Sequence, residues 1–357
     1  MRRIVITGGA GFVGSNLAIR IKCEHDSVEV VAFDNLHRRG SESNLERLRN
    51  AGVKFIHGDI RNKEDFGLLS TADILIECSA EPSVMAGYNN ESPEYLINTN
   101  LLGTVNCLEW ARKHNTSIIF LSTSRVYPIA AINNAKFHEE DTRYSWVDEQ
   151  ELLGISNRGI TEAFPIGGFR SLYGMTKLAS EMLLEEYRYA YGIESIINRC
   201  GVIAGPWQMG KADQGVITFW IIQHLFNRPL KYIGYGGAGK QVRDFLHIDD
   251  LADLIIEQIN NFDNFKGETF NVGGGADYSL SLSELTALCQ EICGQKVQIG
   301  AEPHTRTADI RIYLSDCSKL YSKCSWRPKR TASQTVEDIA RWFRDNSEKM
   351  KEIFGNE

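Results

Sequence analysis

Short apolar runs rich in Val and Ile alternate with longer stretches of helical period through the first half of the chain, the rhythm of repeated βαβ units and a parallel sheet. The apolar runs predict strands over Arg3 to Thr7, Val28 to Asp34, Lys54 to Gly58, Ile74 to Cys78, Ser117 to Ser122 and Ser195 to Arg199. Helical patterns separate them over Phe12 to Cys23, Ser43 to Asn50, Lys63 to Ser70, Tyr95 to Lys113 and Tyr173 to Tyr191. Right-handed crossovers then place helices on both faces, which makes the expected class α/β with a doubly wound parallel sheet. Past Arg199 the rhythm breaks into Gly and Pro punctuation, including Gly205, Pro206, Gly210, Gly215 and Gly234 to Gly239. Helical patterns return over Ile248 to Phe262, Leu282 to Cys293 and Ser333 to Phe354. The expected organisation is a sheet domain over 1–198, with parts of 240–270 returning to it, and a smaller, interleaved α/β lobe over 199–357. Between them Ile129 to Arg170 is long, polar and weakly periodic, the pattern of a functional or mobile loop.

Charge and cysteine usage narrow the partners. The 357 residues carry 39 Lys and Arg against 46 Asp and Glu, a formal net charge of -7, so no global basic field exists to hold nucleic acid or an anionic membrane. Met1 is followed by two arginines and an apolar run that leads straight into glycines, unlike a signal peptide, and no stretch is long and apolar enough to span a bilayer. A cytoplasmic protein is expected. The eight cysteines form no CxxC pair and have no histidines at zinc-finger spacing, so they read as reduced thiols and no metal is assigned. Cys289 and Cys293 lie one helical turn apart, where helix-core packing is the commoner use.

The first chemical signal is Thr7-Gly8-Gly9-Ala10-Gly11-Phe12-Val13-Gly14, standing between a strand and an amphipathic helix. Glycine is needed where the backbone turns tightly and where a phosphate approaches without meeting a Cβ, and the helix N-terminus then offers its N–H groups to a pyrophosphate. Asp34 follows about twenty residues later at a strand end, placed to accept hydrogen bonds from a ribose and to repel a 2′-phosphate. NAD is favoured over NADP on a Rossmann unit, although Arg38 and Arg39 lie close enough to accommodate the latter. Gly8, Gly11, Phe12, Val13, Gly14, Asp34 and Asn35 are the loop-side candidates for the cofactor. Asp59 and Ile60 end the third strand, where the carboxylate either faces an adenine or caps a helix.

A second signal is Tyr173-Gly174-Met175-Thr176-Lys177, a tyrosine and a lysine spaced to share one helix face. Tyrosine ionises near 10. A neighbouring ammonium stabilises the phenolate and pulls its ionisation toward neutrality, which makes a base able to trade a proton with an alcohol. The fifth strand ends in Ser122, Thr123 and Ser124, at the sheet edge where such folds bind ligands.

TGGAGFVG, Thr123 and YGMTK together resemble the extended short-chain dehydrogenase/reductase family, whose members bind nucleotide sugars, and the resemblance covers essentially the whole chain. It implies that Thr123 bonds the reacting sugar hydroxyl, that Tyr173 is the acid/base and that Lys177 also holds the nicotinamide ribose. Ala80, Asn100 and Ser122 are implied near the cofactor, Asn100 with a packing role as its alternative. Finer motifs, Asp34-Asn35-Leu36 with Arg39-Gly40-Ser41-Glu42, Glu140 to Tyr144, Asp213-Gln214-Gly215 and Gly239 to Asp244, resemble the CDP-paratose 2-epimerases, also called CDP-tyvelose epimerases. By that resemblance Ser124, Arg125, Cys200, Gln214 and Arg243 face the substrate, with Arg243 on the nucleotide diphosphate or, alternatively, paired with Asp244 or Asp249. The implied reaction is C2 epimerisation of a CDP-linked deoxysugar by transient oxidation to a 2-ketone, in a homodimer serving lipopolysaccharide biosynthesis. A nucleotide-sugar 4-epimerase uses the same three residues. A 4,6-dehydratase has Asp-Glu after its threonine, where this chain has Ser124 and Arg125, and a non-catalytic NAD-binding protein would not need the Thr, Tyr and Lys set. Glu81, Pro128 and Cys200 depart from the family, which usually carries glutamine, glycine and, in the tyvelose enzymes, histidine there.

Overall fold

The computed structural model describes residues 2–88, 90–210 and 214–354. Its contacts divide the chain into two units, the first made of Met1–Val126, Ser171–Arg199 and Ala252–Phe270. Five strands rise in order, β1 (Arg3–Thr7), β2 (Glu29–Asp34), β3 (Lys54–His57), β4 (Ile74–Glu77) and β5 (Ser117–Thr123), followed by β6 (Ser195–Cys200). Their order across the sheet, from the edge strand Thr269–Val272, is β6, β5, β4, β1, β2, β3. The chain steps outward from β1 through β2 to β3 and then restarts on the other side with β4. That reversal puts the topological switch point, where doubly wound sheets bind their ligands, at the C-terminal ends of β1 and β4. Pairing of β1 with β2 and β4, of β2 with β3 and of β4 with β5 is parallel throughout. The doubly wound Rossmann sheet expected from the periodicity is the one present.

Both faces of such a sheet are covered at its centre, so β1, β2, β4 and β5 are mainly apolar and buried, while the edge strand β3 is not. On one face Val5, Val31, Leu75, Ile118 and Phe120 pack against Cys107, Leu108 and Ala111 of α3 (Gly103–His114) and Leu184 of α4 (Leu172–Tyr191), after α1 (Phe12–Glu24) and α2 (Leu45–Asn50) earlier in the chain. Each Val, Leu, Ile or Phe side chain among them contributes roughly 1.5–3 kcal/mol on full burial.

Several expected helices are shorter or broken. Lys63 to Ser70 forms only a single 3-10 turn, Asp65–Leu68, because the Asp65 carboxylate accepts from the Asp59 amide at 2.8 Å and the Asn62 side chain at 2.7 Å and folds the segment on itself. Tyr95 to Lys113 is interrupted by a π turn, Asn98–Leu102, ahead of α3. Ser333 to Phe354 is two helices, Ala332–Asp345 and Ser347–Phe354, parted at Asn346, whose amide donates back to the Trp342 carbonyl at 2.8 Å.

The second unit comprises Tyr127–Arg170, Cys200–Leu251 and Asn271–Glu357. Tyr127–Arg170 therefore departs from the boundary expected at 198, and Arg199 lies with the first unit; with that segment the second unit is comparable in length to the first. Nor is the segment a structureless loop. It holds a short helix, Ile129–Asn133, and two antiparallel hairpins, Phe137–Glu139 with Tyr144–Trp146 and Ile155–Ser156 with Gly159–Ile160. The Arg311 guanidinium fastens the first hairpin, stacking 4.0 Å over Phe137 and 5.1 Å over Tyr235. A small sheet orders β7 (Val202–Ala204), β8 (Val242–His247) and β9 (Ser279–Ser281), with β10 (Ile312–Tyr313) also on β8. No helix among the described residues is long and apolar enough to cross a membrane.

Candidate active site

The glycine loop is shaped by close backbone approaches. Gly8 has φ 64, and a Cβ on Gly14 would lie 2.2 Å from the Gly8 carbonyl oxygen, while one on Gly9 would lie 2.6 Å from the Ala32 Cα of β2. Helix α1 starts at Phe12 with Gly11 extended before it and no side chain capping its N-terminus, so its first N–H groups suit an anion. Phe12 and Val13 are half-buried on that first turn. Asp34, closing β2, accepts from the Ala10 amide at 3.1 Å and the Leu36 amide at 2.7 Å, and Asn44 donates to the Ala10 carbonyl at 2.8 Å. Burial pushes the Asp34 carboxyl above its ordinary range, and those amides offset only part of the rise. Asp34 thus ties the loop to the sheet, and a carboxylate with about four acceptor sites keeps capacity for a ribose. Close glycine packing, an uncapped helix start and an acid closing β2 fit a dinucleotide. Gly14→Ala is expected to push Gly8 out of place and to strip the protein of NAD during purification; retention at the wild-type level, read from absorbance of the denatured supernatant, would refute that role of the loop.

Beyond β3, Asn35 donates to Asp59 at 2.8 Å, and Arg61 grips the same carboxylate with Nη2 at 2.6 Å and its own amide at 2.9 Å. These donors outweigh desolvation and hold the Asp59 carboxyl down at about 2. Arg61 also lies 4.8 Å over the Tyr95 ring, against which His37 packs at 4.7 Å. Ile60 is buried where Gly103 starts α3, since a Cβ there would meet Ile60 Cδ1 at 2.5 Å.

After β4 the chain passes Ala80, half-buried, to Glu81, and Asn100 pins this stretch. Its Oδ1 accepts from the Glu81 amide at 2.7 Å and its Nδ2 donates to the Glu81 carbonyl at 3.0 Å. Asn100 sits inside the π turn, an irregularity often found at functional sites.

The end of β5 carries Ser122, Thr123 and Ser124, all buried. Thr123 Oγ accepts from the Arg125 amide at 3.2 Å, so its own proton remains to be donated. Helix α4 packs on this strand. Ser171 caps it by accepting from Gly174 at 3.2 Å, Tyr173 lies in the first turn, and Lys177 follows one turn on, buried, its ammonium 3.8 Å from the centre of the Phe120 ring. One further turn brings Glu181, which receives the Ser122 hydroxyl and a fork from Arg199 with Nη2 at 2.7 Å and Nε at 3.1 Å. The candidates Ser122, Thr123, Tyr173 and Lys177 therefore share one strand end and one helix.

Cys200, Gln214 and Arg243 belong to the second unit, and Asp213 lies outside the described residues. Cys200 is buried at the end of β6, and Gln214 is half-buried. Arg243 gives its guanidinium to backbone carbonyls of Val242 at 2.7 Å and Ile310 at 2.6 Å. Asp244 accepts from the amides of Gly275 at 3.1 Å and Ser315 at 3.0 Å, and Asp249 lies 3.5 Å from Arg330. Sequence reading overlooked Glu77, Glu181 and Arg199 as site-forming residues. A charged residue closing the aliphatic run Ile74–Glu77 was the available signal for the first.

A glycine loop at the C-terminal edge of a doubly wound sheet, with an acid closing β2, defines a dinucleotide-binding α/β protein. Comparison with known proteins gives the family. Residues 4–273 match the NAD dependent epimerase/dehydratase family. CDP-paratose 2-epimerase of Salmonella typhi is 32% identical over 351 residues, covering 95% of this chain and 98% of that protein. The dTDP-glucose 4,6-dehydratase of Mycobacterium tuberculosis strain H37Rv is 26% identical over 351 residues, 96% of this chain and 94% of that protein. The UDP-glucose 4-epimerase of Thermus thermophilus, solved in complex with NAD, has a TM-score of 0.76 at 25% identity, covering 96% of this chain and 99% of that chain. The chain belongs to the NAD dependent epimerase/dehydratase family, as an enzyme with NAD for its cofactor.

Proposed function

We propose that the chain is a nucleotide-sugar 2-epimerase acting on a CDP-linked deoxysugar, with Thr123, Tyr173 and Lys177 as the residues at the reacting carbon. What carries the reading is a buried threonine hydroxyl at the end of β5 beside a helix that spaces tyrosine and lysine by one turn. Similarity to CDP-paratose 2-epimerase favours C2 as the carbon. Gly8, Gly11, Phe12, Val13, Gly14, Asp34, Asn35, Asp59, Ile60, Ala80, Asn100 and Ser122 are assigned to the cofactor, and Ser124, Arg125, Cys200, Gln214 and Arg243 to the substrate.

NAD supplies a hydride acceptor that can hand the hydride back. Tyr173, as phenolate, takes the proton of the sugar hydroxyl and returns it at the end. Lys177 keeps that phenolate accessible through its positive charge. Thr123 donates to the same hydroxyl oxygen and orients it. A guanidinium at Arg243 suits a diphosphate. A 4-epimerase uses the same groups on a neighbouring carbon and is the second reading, supported by the likeness to UDP-glucose 4-epimerases. Incubation with CDP-paratose in deuterated buffer is expected to give the 2-epimer without solvent deuterium on carbon. Deuterium at C2 would sink the hydride-return mechanism, and turnover of UDP-glucose alone would move the reaction to C4. The reading includes a homodimer through Tyr95 to Lys113 and Tyr173 to Tyr191, where Leu102, Met175 and Met182 stay exposed; sedimentation as a monomer at micromolar concentration would remove it.

A further inference from the structure

Glu77 closes β4 and is completely buried, an acid at the end of three aliphatic residues. Its register partners are Thr7 on β1 and Phe120 on β5, so the three side chains leave the same face of the sheet. Lys177 lies over Phe120 on that face, and adjacent strands are only about 4.8 Å apart, which sets the carboxyl beside the ammonium. The groups facing Glu77 are Lys177 from α4, Cys107 and Thr104 from α3, and Thr7 and Phe120 from the neighbouring strands; of these Lys177 carries the charge.

A proton count distinguishes two states of this cluster. The Thr104 hydroxyl lies 2.5 Å from Glu77 Oε1 and 2.9 Å from the Asn100 carbonyl oxygen, and it has one proton to give. If Glu77 is ionised, Thr104 must turn to it, and Oε2 keeps a full share of the charge in a place without water access, with only the weak thiol donor of Cys107 beside the carboxylate. If Glu77 is protonated, it donates to Thr104, which donates to Asn100, and only a neutral carbonyl oxygen is left unpaired. Burying an undersatisfied charge costs several times more than burying a neutral oxygen. Desolvation accordingly pushes the Glu77 carboxyl up, with Lys177, Thr104 and the Cys107 thiol opposing it.

We propose that Glu77 is a positioning residue kept as a neutral acid behind Lys177. Its proton orients the Thr104 to Asn100 chain that pins the Glu81 stretch, and its neutrality leaves the charge of Lys177 directed at Tyr173. This rests on the reading of Tyr173 as the acid/base. Once the proton leaves at alkaline pH, the carboxylate opposes Lys177, and Tyr173 ionises less readily.

The test compares NAD-loaded wild type and E77Q by difference infrared spectroscopy and by tyrosinate absorbance, with Y173F subtracted to isolate Tyr173. At neutral pH the wild type is expected to show the carbonyl band of a protonated acid that E77Q lacks. Tyr173 is expected to titrate alike in both on the acid side, and to lag in the wild type above the pH at which the acid band disappears. A carboxylate band in place of the acid band overturns the proposal. So does a fall of about one pH unit in the Tyr173 transition of E77Q on the acid side, which is the behaviour of an already ionised Glu77, or the absence of the alkaline lag. Should E77Q not fold, T104V reads the same proton, because loss of its acceptor must move the acid band. Full turnover by Y173F would fail the base assignment and leave the infrared result standing, so the two failures are separable.

Discussion

Tyr173→Phe is expected to lower turnover by about 10²–10⁴-fold, the usual worth of a positioned acid/base, while the purified variant still carries NAD. The substitution removes one oxygen from a helix whose remaining contacts are made by other groups. Ser171 still caps α4, Lys177 stays buried on Phe120, and the Thr176 hydroxyl bonds the Tyr173 carbonyl at 2.8 Å, which phenylalanine retains. A loss of rate with unchanged cofactor content therefore isolates the proton transfer. Activity within a few-fold of wild type would refute Tyr173 as the base and leave the fold and cofactor loop untouched.

Glu181→Ala is expected to be strongly destabilising, costing roughly 3–5 kcal/mol, because it leaves Arg199 charged and buried without its fork partner. Both residues are almost wholly enclosed, with 2% and 7% exposure, and the Ser122 hydroxyl would lose its acceptor at the same time. The contrast that gives the prediction content is the double replacement E181M/R199L, which removes both charges together and is expected to recover most of the loss. Thermal unfolding of the two variants and the wild type in the NAD-loaded state makes the comparison. Equal destabilisation of the single and double variants would show that shape rather than the charge pair matters there. Turnover is expected to fall in the single variant as well, since Ser122 adjoins Thr123 at the end of β5.

The alternation of aliphatic runs with helical periods located β1 through β6 to within a residue or two, because strands at the centre of a sheet covered on both faces are mainly apolar. Local geometry was equally legible. Gly8 to Gly14 needs glycine for reasons of backbone space within a few residues, and Tyr173 and Lys177 share a face because the helix repeat puts them there. These are short-range properties, and the linear chain carries them. Harder to read were segments whose form depends on distant partners. Tyr127–Arg170 has weak periodicity because its hairpins are closed by Arg311 and neighbours far along the chain, and the π turn at Asn98–Leu102 is held by Glu81, Thr104 and Ser180. The protonation of Glu77 and the pairing of Glu181 with Arg199 depend on burial and on side chains from separate strands and helices. Charge in a folded protein is set by what surrounds it in three dimensions, and that only the tertiary structure decided.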